Sequence, residues 1–141
     1  MKLKTISNCE NDTIEIAQNF AQELSGNEII LLYGELGAGK TLFVKSVAKK
    51  LKCHDEITSP TFTLMQTYQG KFNIYHFDLY RIKNILELDN IGFFDYIEKD
   101  GIKFIEWPEI IKDTINGLNF IEIYIKKLDN TKREIIIKKG D

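Results

Sequence analysis

Three features of this sequence predict an α/β fold with a mixed, partly antiparallel central sheet flanked by helices. Residues 28–33, Glu-Ile-Ile-Leu-Leu-Tyr, form a continuous apolar run that stops at a glycine-rich loop, as a strand buried on both faces would. The stretches before and after that run repeat their apolar residues at helical spacing. Two further pairs of β-rich runs are each joined by a short polar turn, so part of the sheet is antiparallel.

Residues 3–6 read as a short strand. Ile14, Ala17, Phe20, Ala21 and Leu24 then mark an amphipathic helix, with Asp12 and Glu15 placed as a capping pair and Gly26 as its stop. After the buried strand and its loop, residues 41–51 form a second helix. Its apolar positions are Leu42, Val44, Val47, Ala48 and Leu51, while Lys45, Lys49 and Lys50 are solvated. Residues 62–68 and 72–77 form a hairpin around Gln69-Gly70-Lys71. Short helical pieces occupy 85–99, and a strand at 102–105 leads into the turn Trp107-Pro108. Residues 120–126 and 133–138 pair around Asp129-Asn130-Thr131, with Ile121, Ile123 and Ile125 alternating with polar neighbours.

With 141 residues, 43% apolar and 28% charged, the chain suits a single domain over residues 1–141 whose core needs no disulfide or metal staple. The net charge of -2 comes from interleaved acids and bases, which excludes a sequence-wide attraction for nucleic acid. Cys9 and Cys53 lack Cys-x-x-Cys spacing and are expected as free thiols in a reducing cytoplasm. The first residues lack the apolar stretch of a secretory signal, and no run approaches the ~18 apolar residues of a membrane span.

Chemistry enters at residues 34–41, Gly-Glu-Leu-Gly-Ala-Gly-Lys-Thr, which fit the pattern Gly-x-x-x-x-Gly-Lys-Thr. Gly34, Gly37 and Gly39 are expected to take positive φ and let backbone N–H groups, with that of Ala38, surround a β-phosphate. Lys40 then reaches the β- and γ-phosphates, Thr41 Oγ ligates Mg²⁺, and the following helix adds its positive end. A strand runs into the loop and a helix leaves it, the context the motif requires. The fold class narrows to a P-loop NTPase that binds ATP or ADP with magnesium.

Such a site needs an acidic residue on a neighbouring strand end. Asp78 closes one predicted strand and Glu106 another. His76, in mid-strand between Tyr75 and Phe77, reads as a hydrogen-bonded packing residue. Trp107, between Glu106 and Pro108, is a candidate lid beside the carboxylate. Ser59 and Thr61, on a loop bent by Pro60, suit a phosphate-sensing switch.

Four blocks in this order, residues 34–41, Ser59-Pro60-Thr61-Phe62-Thr63, His76-Phe77-Asp78-Leu79-Tyr80-Arg81 and Glu106-Trp107-Pro108-Glu109, resemble the bacterial TsaE (YjeE) family. The resemblance implies an ATPase that assists the TsaD–TsaB pair in making N6-threonylcarbamoyladenosine at position 37 of tRNAs reading ANN codons. It implies Gly37, Ala38, Gly39, Lys40 and Thr41 as the phosphate cradle, and Thr41 and Glu106 as the magnesium site. Asp78 becomes the Walker-B-like acid at that metal, Ser59 and Thr61 the switch, and Trp107 a nucleotide-responsive residue. Lys40, Asp78 and Glu106 are the catalytic candidates, and Glu10 and Thr13 would lie near adenine. Leu42 departs from the family, many of whose members have a second threonine there, so only its backbone N–H can serve the α-phosphate.

A small-molecule kinase would use the same loop, but such enzymes clamp anionic reactants with several arginines, and this chain has only Arg81 and Arg133. Thr131-Lys132-Arg133-Glu134 faintly resembles a guanine-reading motif, with Glu in place of Asp and at the entry of a strand, and reads as structural. A nucleotide-dependent assembly switch without turnover is the third alternative. With no recognisable arginine finger, slow intrinsic hydrolysis that partners stimulate or organise is expected.

Overall fold

The structure, a computed structural model, describes residues 1–54 and 64–140. The chain runs β1 (Lys2–Ser7), α1 (Glu10–Gln22), β2 (Ile29–Tyr33), α2 (Lys40–Lys50), β3 (Met65–Gln69), β4 (Asn73–Asp78), α3 (Leu86–Asn90), α4 (Phe93–Glu98), β5 (Ile102–Glu106), a 3-10 turn (Pro108–Ile110), β6 (Ile121–Lys127) and β7 (Arg133–Lys139). The seven strands form one sheet in the order β1-β7-β6-β2-β5-β4-β3. β6, β2, β5 and β4 are mutually parallel, and β1, β7 and β3 add antiparallel at the flanks, as the hairpins predicted.

The all-apolar β2 lies at the centre because both of its faces are covered. Ile30 and Leu32 point toward α1 and α2, with Phe43, Val44, Phe104 and Ile123 around them. Ile29 and Leu31 point the other way, toward Phe77, Leu88, Phe93 and Ile111. Wholly buried side chains of this size each contribute about 1.5–3 kcal/mol, far more than any surface ion pair here. Because β2, β4 and β5 run parallel, their carboxyl ends lie side by side. This is the edge of an open α/β sheet where ligands bind.

The expected capping pair of α1 is corrected by one turn. The helix begins at Glu10 with Cys9 as its cap, so Asp12 is already the third helical residue, and its carboxylate accepts a bond from the Asn8 N–H at 2.9 Å. Ser7 sets this earlier start: its buried hydroxyl meets the Thr13 hydroxyl at 2.6 Å and donates to the Cys9 carbonyl. The helix also stops at Gln22, short of Gly26, whose φ of 118° belongs to the turn that follows.

That turn is organised by Glu28, whose carboxylate accepts bonds from the N–H groups of Ser25, Gly26 and Asn27 at 2.7, 2.9 and 3.1 Å. Burial pushes the Glu28 carboxyl up, but these donors outweigh it and hold it below its ordinary value of 4.5. The folded state therefore gains stability above that value and loses it as acid protonates the group. Glu28→Ala is expected to cost about 1 kcal/mol at neutral pH after screening by solvent. The difference from wild type should close as the pH falls through the lowered Glu28 carboxyl value, as seen by chemical denaturation at neutral and acid pH.

Candidate functional site

The loop between β2 and α2 is shaped by its glycines, in two different ways. Gly37 and Gly39 take φ of 80° and 110°, as expected, and a Cβ on either would project into open space. Gly34 is a correction: it does not take positive φ. A Cβ there would lie 2.8 Å from the Ile125 carbonyl oxygen and 3.2 Å from the Ala38 Cβ, so its role is to let the loop pack tightly against β6. Gly39 caps α2, which begins at Lys40, and the free N–H groups of the first helical turn open on the hollow.

Lys40 is 5% exposed, and its Nζ has no hydrogen-bond partner among the described residues. It lies 3.8 Å from Glu106 Oε1 and 3.9 Å from the centre of the Trp107 ring. Burial pulls the ammonium below the ordinary lysine range, and the negative charges of Glu106, Asp78 and Glu109 oppose that fall. A buried ammonium without hydrogen bonds is costly unless a ligand supplies the acceptors, and phosphate oxygens are such acceptors.

Asp78 and Glu106 stand directly opposite each other at the ends of β4 and β5, each 3% exposed. Asp78 Oδ1 accepts the N–H of Tyr80 at 2.9 Å. Glu106 Oε2 lies 2.6 Å from His76 Nε2, so the predicted packing histidine is hydrogen-bonded, and its partner is a carboxylate of the site. Trp107 holds a left-handed backbone, φ 54°, at the mouth of the 3-10 turn, and its ring lies against that of Tyr80 at 4.8 Å. Non-glycine residues held this way recur at ligand clamps.

Lys40, Thr41, Asp78, Glu106 and Trp107 line one cavity of about 280 Å³ with Leu36 and the loop. No group of three or more His, Cys, Asp or Glu gathers there or elsewhere among the described residues. The oxygen set of one hydroxyl and two carboxylates suits magnesium, which binds through one or two carboxylates plus substrate phosphates and water. A second cavity of about 270 Å³ opens on the other side of the loop and shares Gly37 and Gly39 with the first. Its walls are Cys9, Glu10 and Thr13 from α1, Leu42 from α2, and Asn130 and Thr131 from the β6–β7 turn. Glu10 and Leu42 therefore line this second cavity and not the one that holds Lys40. Ser59 and Thr61 lie outside the described residues.

Sequence reasoning missed Arg133. Its Nε donates to the Ala38 carbonyl at 2.9 Å and its Nη2 to that of Gly37 at 3.4 Å, while Nη1 bonds the carbonyls of Asp129 and Lys132. This guanidinium straps the phosphate loop to the β6–β7 turn, across a sequence gap no local pattern spans. Thr131 is a turn residue as read, tied to Asp129 Oδ1, and it also lines the second cavity.

The family model described as "Threonylcarbamoyl adenosine biosynthesis protein TsaE" matches residues 7–135. Among proteins named tRNA threonylcarbamoyladenosine biosynthesis protein TsaE, that of Rickettsia typhi is 46% identical over 135 residues, covering 94% of this chain and 92% of its own. That of Aquifex aeolicus is 40% identical, covering 95% and 94%, and that of Treponema pallidum 33%, covering 96% and 99%. The crystal structure of Bacillus subtilis YdiB is similar over the whole chain and 87% of its own, with a TM-score of 0.78 at 30% identity. The match spans the loop, both strand-end carboxylates and the turn of Arg133, and the chain therefore belongs to the TsaE family.

Proposed function

We propose that this protein is an accessory ATPase of N6-threonylcarbamoyladenosine synthesis in tRNA, binding ATP with magnesium and hydrolysing it slowly. Family membership carries the pathway. The nucleotide reading is carried by one observation: the buried Lys40 ammonium, without a hydrogen bond among the described residues, faces an open P-loop hollow and two strand-end carboxylates. No helix among the described residues is long and apolar enough to cross a membrane, and a cytoplasmic single-domain protein acting with a TsaB–TsaD-like pair fits this reading.

In this reading Lys40 holds the terminal phosphates, and Thr41 and Asp78 hold the metal. Magnesium held by these residues would supply charge neutralisation to the phosphates. Glu106 keeps Oε1 on the cavity side, placed to accept a hydrogen from the attacking water or from water on the metal. Trp107 walls the cavity with Tyr80 packed against its ring. The kinase alternative loses support, because Arg133 is committed to loop carbonyls and is not turned to a second substrate.

Titration with a non-hydrolysable ATP analogue tests the proposal, with calorimetry and Trp107 fluorescence read together. Binding is expected to depend on Mg²⁺, to resist competition by GTP, and to change the fluorescence, because phosphates will draw Lys40 from the indole it now faces at 3.9 Å. Equal displacement by GTP would refute the adenine reading. A flat fluorescence trace at confirmed saturation would refute the nucleotide-responsive role of Trp107. Absence of turnover with all partners present would favour the assembly switch.

A further inference from the structure

We infer that His76 is the positioning residue that fixes Glu106 for its work, holding one carboxylate oxygen so that the other alone serves the metal or the attacking water. The inference rests on the ATP–magnesium reading above and deepens it. In the β4–β5 register His76 is paired with Phe104, and Asp78 with Glu106. His76, Asp78, Phe104 and Glu106 thus share one sheet face, and His76 reaches Glu106 along the diagonal. Its Nε2 lies 2.6 Å from Oε2, while Oε1 faces Lys40 at 3.8 Å.

The surroundings make this contact rigid. His76 is 0% exposed, with the Phe104 ring edge-on and Tyr68 on its other side. An ionised carboxylate can only accept, so Nε2 carries the hydrogen, and Nδ1 is left buried without a hydrogen-bond partner among the described residues. A ring held merely for packing would not need to bury a polar atom that has no partner among the described residues. The bond to Glu106 offsets that cost and stops the carboxylate from rotating to offer both oxygens. Outer groups that orient a metal-side ligand typically matter 10–100-fold.

The test compares His76→Phe, His76→Asn and His76→Gln with wild type. Phenylalanine fills the site without a donor, asparagine is polar but too short to reach Oε2, and glutamine can place an N–H where Nε2 stands. Each is measured for thermal stability, for ATP-analogue affinity with and without Mg²⁺, and for turnover with partners. Phe and Asn variants are expected to keep magnesium-free affinity within about twofold, and to lose on the order of 10–100-fold in turnover or in the magnesium-dependent gain in affinity. Gln is expected to recover most of it. In a Glu106→Ala background the same His76 changes should have no further effect.

If His76→Phe destabilises the fold, the Asn and Gln pair carries the comparison alone. Folded Phe or Asn variants with unaltered magnesium dependence and turnover would overturn the inference, as would Gln and Asn behaving alike. Wild type binding the analogue without any magnesium dependence is a separate result, which would overturn the metal reading and this inference with it.

Discussion

Lys40→Ala will lower ATP affinity by roughly 100-fold or more while leaving the free protein at least as stable as wild type. The two halves of this result come from one geometry. In the structure the ammonium is buried and has no hydrogen bond among the described residues, with an ion-pair distance to Glu106 of 3.8 Å and an indole face at 3.9 Å as its partial compensation. Desolvating such a cation costs more than those contacts return. Charge-assisted bonds to phosphate change that balance, and they exist only when nucleotide is bound. Removing Lys40 does not strand Glu106, because His76 still satisfies Oε2 at 2.6 Å. Lys40→Met, close in length and apolar, should raise the melting temperature of the free protein further. Calorimetry and thermal unfolding measured on the same samples decide the matter. A variant that binds ATP as wild type does would defeat the phosphate-loop assignment, and a loss of stability with lost binding would make Lys40 a structural residue.

How legible this was depends on how local each signal is. The course of the glycine loop was legible because its parts are contiguous: the apolar run of β2, the glycines and the Lys-Thr helix start follow one another. Asp78 and Glu106 were legible singly, as acids closing apolar runs. Their facing positions come from the β4–β5 pairing, which no periodicity in either strand encodes. His76 was read correctly as hydrogen-bonded, yet its partner lies 30 residues away across that same pairing. Arg133 was illegible as a loop strap, since its donors reach carbonyls 95 and 96 residues distant and carbonyl acceptors carry no side-chain signature. Gly34 shows the opposite error, where a glycine in a motif was assigned backbone freedom and what it supplies is the space for Ile125. The start of α1 was misplaced because Ser7 and Thr13 tie the turn together from outside the capping pattern.

Arg133 also decides the last expectation, that Glu106→Ala will lose about 10²–10³ in partner-stimulated turnover while magnesium-free ATP affinity changes by no more than a few-fold. Phosphoryl transfer draws its rate from positioning and from cations on the transferring group, and a supplied arginine finger is worth ~10³–10⁵. Of the two arginines in the chain, Arg133 has its donors on the carbonyls of Gly37, Ala38, Asp129 and Lys132. Arg81 is exposed on the loop after β4. Among the described residues lining the cavity, Lys40 is the cation, and the isolated protein should turn over slowly. A docked TsaB–TsaD-like pair is expected to raise the rate at least tenfold by completing the charge around the terminal phosphate. Glu106 acts on the attacking water or the metal, so its loss should appear in kcat or in the magnesium-dependent gain in affinity, and not in magnesium-free binding. Steady-state assays of wild type and Glu106→Ala, alone and with the pair, separate these outcomes. Brisk hydrolysis by the isolated wild type would show that the chain already holds a complete site. A partner pair that binds without stimulating would show that nucleotide state, and not turnover, is what the partner reads.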